Sequence, residues 1–105
     1  MTLSEMIDEC IADSEKWFDS PDLVHHALGM CGEAGEVANI VKKIDRGDFN
    51  LAETGSELKK EVADTFIYLL NIAGIIGMDL EKEYRDKRAF NDVRFTHNGK
   101  KAKHG

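Results

Sequence analysis

A chain of 105 residues is long enough for one core and one domain. Its 42% hydrophobic and 32% charged residues describe a globular composition and not a disordered one. The formal net charge of −6 argues against charge-driven binding to a nucleic-acid polymer, which needs a basic face. No apolar run approaches the ~20 residues that span a bilayer, and the opening MTLSEMIDEC lacks the basic-then-apolar order of a secretory signal. The expected location is cytoplasmic, with Cys10 and Cys31 as reduced thiols buried on apolar helical faces.

Apolar residues recur at helical spacing, and strand-like alternation is absent. Leu3, Met6, Ile7, Cys10, Ile11, Trp17 and Phe18 form a stripe, and Thr2 with Glu5 has capping-box spacing, which predicts a first helix over 3–18. Ser20-Pro21-Asp22 offers a cap, a proline for the first helical position and an early acid, so a second helix is expected to begin there. It continues through Leu23, Ala27, Leu28, Cys31, Ala38, Val41 and Ile44 and stops at Gly47. Residues 48–55 read as a loop, with Thr54 or Ser56 capping a third helix through Leu58, Val62, Phe66, Leu69, Leu70, Ala73 and Ile76. Gly77 ends it, and Asp79 caps a fourth helix through Leu80, Tyr84, Phe90 and Phe95. The expected fold is all-α, a four-helix bundle with short connections and antiparallel neighbours. Residues 1–95 form the domain, and 96–105 a basic flexible tail.

Two acidic pairs interrupt the most apolar helices. Glu33 and Glu36 lie in Gly-Glu-Ala-Gly-Glu-Val, and Glu61 and Asp64 in Glu-Val-Ala-Asp-Thr-Phe. Spacing of i, i+3 projects each pair from one side of its helix. Either pair alone describes an ordinary solvated face. Here Phe66, Ile67, Leu69, Leu70 and Ile72 follow directly after Asp64 and leave the third helix little solvent face, while Gly29, Gly32 and Gly35 make a shallow groove on the second. If the two helices pack antiparallel, four carboxylates converge, and hard oxygen ligands of that kind suit Mg2+, with Mn2+ as a substitute. On the fourth helix Lys87, Asn91 and Arg94 share a stripe at i, i+4, i+7, suited either to phosphate oxygens or to a charged exterior.

The stretch Gly32-Glu33-Ala-Gly-Glu36-Val followed by Glu61-Val-Ala-Asp64-Thr-Phe-Ile-Tyr68-Leu-Leu resembles the E-x-x-E … E-x-x-D signature of the MazG-like superfamily, which includes dimeric dUTPases and dCTP pyrophosphatases. Lys87-Arg-Ala-Phe-Asn91-Asp-Val-Arg94 is similar to its K-x-x-x-N-x-x-R ending, and the likeness spans residues 15–95. The resemblance implies Mg2+-dependent hydrolysis of a nucleoside triphosphate, a deoxynucleotide above all, to its monophosphate and pyrophosphate. The physiological role it implies is control or cleansing of the nucleotide pool. It makes Glu33, Glu36, Glu61 and Asp64 metal ligands, with Glu36 or Glu33 accepting a proton from water. Lys87, Asn91 and Arg94 become phosphate-binding residues, and Tyr68 falls near the sugar or base. Trp17 matches an aromatic that stacks on the base, but it serves equally well as a core residue closing the first helix's stripe.

The chain has one such domain, not two in tandem, and lacks the extra helices of the longer dimeric dUTPases, so it looks like the short branch of varied substrate preference. A di-iron bundle would call for Glu-x-x-His pairs, and the sequence has none; His25 and His26 read as a loop-proximal or interface pair. A non-catalytic helical dimerisation or regulatory module on the same fold is the alternative, against which the retention of all seven polar positions weighs. A chain this short with so much apolar surface on two helices is expected to self-associate, as a homodimer or a dimer of dimers, with no membrane partner.

Overall fold

Each helix begins where a side-chain oxygen satisfies its first free N–H groups, and those oxygens set the element boundaries. The computed structural model describes residues 1–19 and 22–96 as four helices, α1 (Leu3–Trp17), α2 (Leu23–Arg46), α3 (Leu51–Ile75) and α4 (Leu80–Thr96), with no strand among the described residues. Thr2 and Glu5 form the reciprocal capping box expected for α1. The Asp79 carboxylate accepts from the Lys82 N–H at 3.1 Å and starts α4 as expected.

Two starts differ from expectation. The Asp22 carboxylate accepts from the His25 N–H at 2.8 Å, so Asp22 is itself the cap of α2 and the helix opens at Leu23. Ser20 and Pro21, expected to supply that start, lie outside the described residues, as does the tail from 97 to 105. Helix α3 begins at Leu51, well inside the segment read as a loop. Asn50 accepts from the Glu53 N–H at 2.9 Å while the Glu53 carboxylate accepts from the Asn50 N–H at 3.2 Å. This second capping box satisfies two N–H groups at once and carries Gly55 into the helix despite its poor propensity.

Gly47 ends α2 with φ 88°, its N–H and that of Asp48 closing on carbonyls of the last turn. The short link to Asn50 folds α3 back along α2, and this antiparallel hairpin is the most extensive contact in the chain. Helix α1 packs on α3 through Ile7, Leu70 and Ala73, with Leu3, Met6, Cys10, Ile11, Met78 and Leu80 around them. The close approach depends on Gly74, where a Cβ would lie 2.6 Å from Ile11 Cγ1.

Gly77, at φ 68°, redirects the chain so that α4 leaves α3 at 104°. Helix α4 rests mainly against α1 and contains no buried residue. The fold is therefore all-α with four helices, but α4 does not lie antiparallel beside α3, because the Gly77 turn directs it outward. Among the described residues only Ile7, Ile40, Leu70 and Ala73 are buried hydrophobics, while Leu28 and Val93 each stand 68% exposed. Both cysteines are free, Cys10 half-buried and Cys31 exposed, so the expected burial of Cys31 does not occur within one protomer. No helix among the described residues is long and apolar enough to cross a membrane by itself.

The Asn50–Glu53 box carries a measurable share of hairpin stability. Asn50→Ala should lower the unfolding free energy by ~1 kcal/mol in urea titrations. Thr54→Ala, which removes a hydroxyl from inside the helix, should change it less; the reverse order would place the start of α3 later.

Candidate functional site

The α2–α3 hairpin places Glu33 of α2 opposite Glu61 and Asp64 of α3. One carboxylate oxygen from each of the three lies within 4.8 Å of the other two. Glu33 and Glu61 are half-buried and Asp64 is exposed, so the group forms a rim open to a ligand. Crowding of like charges has a visible consequence. The Glu61 carboxyl titrates above its ordinary value, chiefly because its protonated form donates a hydrogen bond to Glu33, with desolvation and the Glu33 charge adding to the effect. Like charges crowded in this way are relieved by a proton or by a cation. Glu36, one turn further along α2, is exposed and lies outside this group, so the hairpin converges three of the four expected acids and leaves the fourth free.

A cleft of about 390 Å³ opens between α1, α2 and α3, and both Glu33 and Asp64 of the trio and the aromatic Trp17 and Phe18 line it. Trp17 is 65% exposed and lines the cleft, so within the protomer it does not close the core stripe of α1. Tyr68, one turn beyond Asp64 on α3, forms part of the wall and packs near the His25 and His26 rings, at 6.5 and 5.8 Å between centroids. His25 in turn packs against Phe18 at 5.1 Å and His26 edge-on at 4.9 Å. A larger groove of about 720 Å³ lies between the start of α1, the end of α3 and the start of α4, but none of the expected site residues lines it.

The cleft also has a buried polar lining that helical periodicity did not single out. Ser14 and His26, both buried, share a 3.0 Å hydrogen bond between Oγ and Nε2. Asn71 is buried too; its amide donates to the Ile67 carbonyl at 3.0 Å, and its Oδ1, like His26 Nδ1, has no partner. The available signal was a polar residue in an apolar setting, Ser14 continuing the stripe of Ile7 and Ile11, and Asn71 inside Leu69-Leu70-Asn71-Ile72. His26, read as half of a loop-proximal pair, instead ties α2 to α1.

The α4 stripe stands apart from the trio. Lys87 Nζ sits 4.7 Å over the Phe90 ring and the Arg94 guanidinium 4.4 Å over Phe95, both on their own helix. Neither cation is ion-paired among the described residues. Asn91 is half-buried, with an Oδ1 that has no partner. No family model, curated protein or solved structure matches the chain.

Burial, then the adjacent His25, holds His26 below the ordinary histidine value of 6.5, with Asp22 opposing them. The unfolded chain therefore binds this proton more readily than the folded one, and stability is present above pH 6.5 and lost as pH falls toward the folded value. Thermal melts from about pH 7.5 down to 5 should show this slope, and His26→Gln, which can still bond Ser14, should flatten it. An unchanged slope in the variant would assign the effect to other groups.

Proposed function

We propose that this chain is a Mg2+-dependent nucleoside triphosphate pyrophosphohydrolase of the MazG-like class. On this reading it converts a nucleotide, most readily a deoxynucleotide, to its monophosphate and pyrophosphate in the cytoplasm. The observation that carries the reading is the approach of Glu33, Glu61 and Asp64 to within 4.8 Å, with Glu33 and Asp64 also lining a cleft shared with Trp17, Phe18 and Tyr68. Carboxylates suited to a metal and flat rings lining one cleft suit a ligand that combines a polyanionic group with a planar heterocycle.

Glu33, Glu61 and Asp64 would hold the ion, which supplies charge neutralisation toward the phosphates and a more acidic bound water. Trp17 and Tyr68 bind the base and sugar along the cleft walls. Glu36, exposed and not committed to the trio, accepts the proton of the water that attacks the α-phosphorus. The bond from that phosphorus to the bridging oxygen breaks and pyrophosphate leaves, its negative charge met by Lys87 and Arg94.

Those two cations reach the site from a second copy of the chain. Helix α4 turns away from the hairpin that holds the acids, and exposed apolar stripes run along α2 at Val24 and Leu28 and along α3 at Val62, Phe66 and Leu69. Unpartnered apolar surface on that scale favours a homodimer, or a dimer of dimers, over a lone protomer.

Three measurements test this. Pure protein with Mg2+ should release pyrophosphate from at least one nucleoside triphosphate, and Asp64→Asn should abolish turnover while sharply reducing the thermal stabilisation that Mg2+ gives. Orthophosphate as the first product would mean a different scissile bond. Arg94→Ala should cost ~1.5–3 kcal/mol of transition-state stabilisation, about one to two decades in kcat/KM, with metal affinity intact. Finally, remixing Asp64→Asn with Arg94→Ala protein should regain about a quarter of wild-type turnover, since random reassembly leaves some sites with both residues intact. No regain on mixing would put α4 of the same chain at the site, or leave it as scaffold.

A further inference from the structure

We infer that Gly29 is a positioning residue for the cleft, its missing side chain being what seats the Tyr68 ring against α2 and keeps the passage between the acids and Trp17 open. The inference rests on the nucleotide reading for its functional consequence, though the seating stands on geometry alone.

Glycine weakens a helix interior relative to alanine, so a glycine in mid-helix calls for a reason. Gly29, Gly32 and Gly35 repeat along α2, but they are not equivalent. A Cβ at Gly32 or Gly35 would meet nothing within 4 Å. At Gly29 it would fall 2.3 Å from Tyr68 Cε1, 2.4 Å from Cζ and 2.9 Å from Cδ1. These overlaps take in most of one edge of the ring, so any side chain at position 29 displaces the ring itself. The α2 backbone lies behind the ring, and the His25 and His26 rings stand 6.5 and 5.8 Å from it between centroids. The cleft, of which Tyr68 is a wall, is the open space available. Tyr68 lies one turn beyond Asp64 and lines the same cleft as Glu33, Asp64 and Trp17, so a ring swung into the cleft narrows the space those residues share.

A double-mutant cycle between Gly29→Ala and Tyr68→Ala tests this. The probes are dATP, dCTP, dGTP and dTTP with Mg2+, with binding followed by fluorescence of Trp17, the single tryptophan and a lining residue of the cleft. Gly29→Ala in the wild-type background should raise KM, and weaken binding, by about tenfold or more, with kcat and Mn2+ affinity little changed. In the Tyr68→Ala background the same substitution should add no further loss. Melting temperature supplies the second readout: Gly29→Ala should raise Tm when Tyr68 is absent, as alanine is the better helix former, and fail to raise it when the ring is present. Equal effects of Gly29→Ala in both backgrounds, on KM and on Tm, would overturn the assignment. Should the wild type bind none of the four nucleotides, the deoxynucleotide preference falls, and the Tm cycle by itself still upholds or overturns the seating of Tyr68 by Gly29.

Discussion

Mutual repulsion among Glu33, Glu61 and Asp64 is a constraint that the packing of α2 against α3 must overcome. Carboxylates within 4.8 Å of one another oppose the packing that brings them together, and the Glu61 carboxyl, beside Glu33, is pushed above its ordinary value as a result. The opposing force is the length of the α2–α3 hairpin, the longest contact in the chain, locked at one end by Gly47 and the Asn50–Glu53 box. Nothing else among the described residues gathers acids from two helices in this way.

The second arrangement follows from how little the protomer buries. A core centred on Ile7, Leu70 and Ala73, with Ile40 apart from it, is small for a chain of 105 residues, and marginal stability follows from the surface-to-volume relation. The exposed apolar stripes on α2 and α3 and the solvated α4 are two sides of one fact, since the helix that would cover the hairpin is directed elsewhere by the Gly77 turn. Within the proposed function a second copy resolves both, by covering the apolar faces and bringing Lys87 and Arg94 to the acids.

Between these lies the cleft, whose polar residues are costly to bury unless bonded. Ser14 and His26 satisfy each other in part and fasten α1, which carries Trp17, to α2, which carries Glu33. Asn71 and His26 each retain an unpaired buried atom, a cost that the native packing tolerates.

Much of this was legible in the sequence. Helix number, the Thr2–Glu5 box, the Gly47 stop and the Asp79 cap are local, set by groups within a few residues of one another, and local chemistry can be read along a chain. So can the i, i+3 spacing that puts Glu33 beside Glu36 and Glu61 beside Asp64. The start of α3 is equally local, but Thr54 and Gly55 carry loop and cap signals that compete with the Asn50–Glu53 pair. What only the tertiary structure decided is how helices stand against one another. Periodicity says that a face is apolar but not which neighbour covers it, so the exposure of Leu28, Cys31 and Phe66 and the outward course of α4 were beyond it. The hairpin's register, not the spacing, selects Glu33 over Glu36 as the partner of Glu61 and Asp64, since two residues on one side of a helix still lie a full turn apart. The same holds for Ser14 with His26 and Gly29 with Tyr68, pairs brought together across helices by packing, for which the sequence offers only an unexplained polar residue or an unexplained glycine.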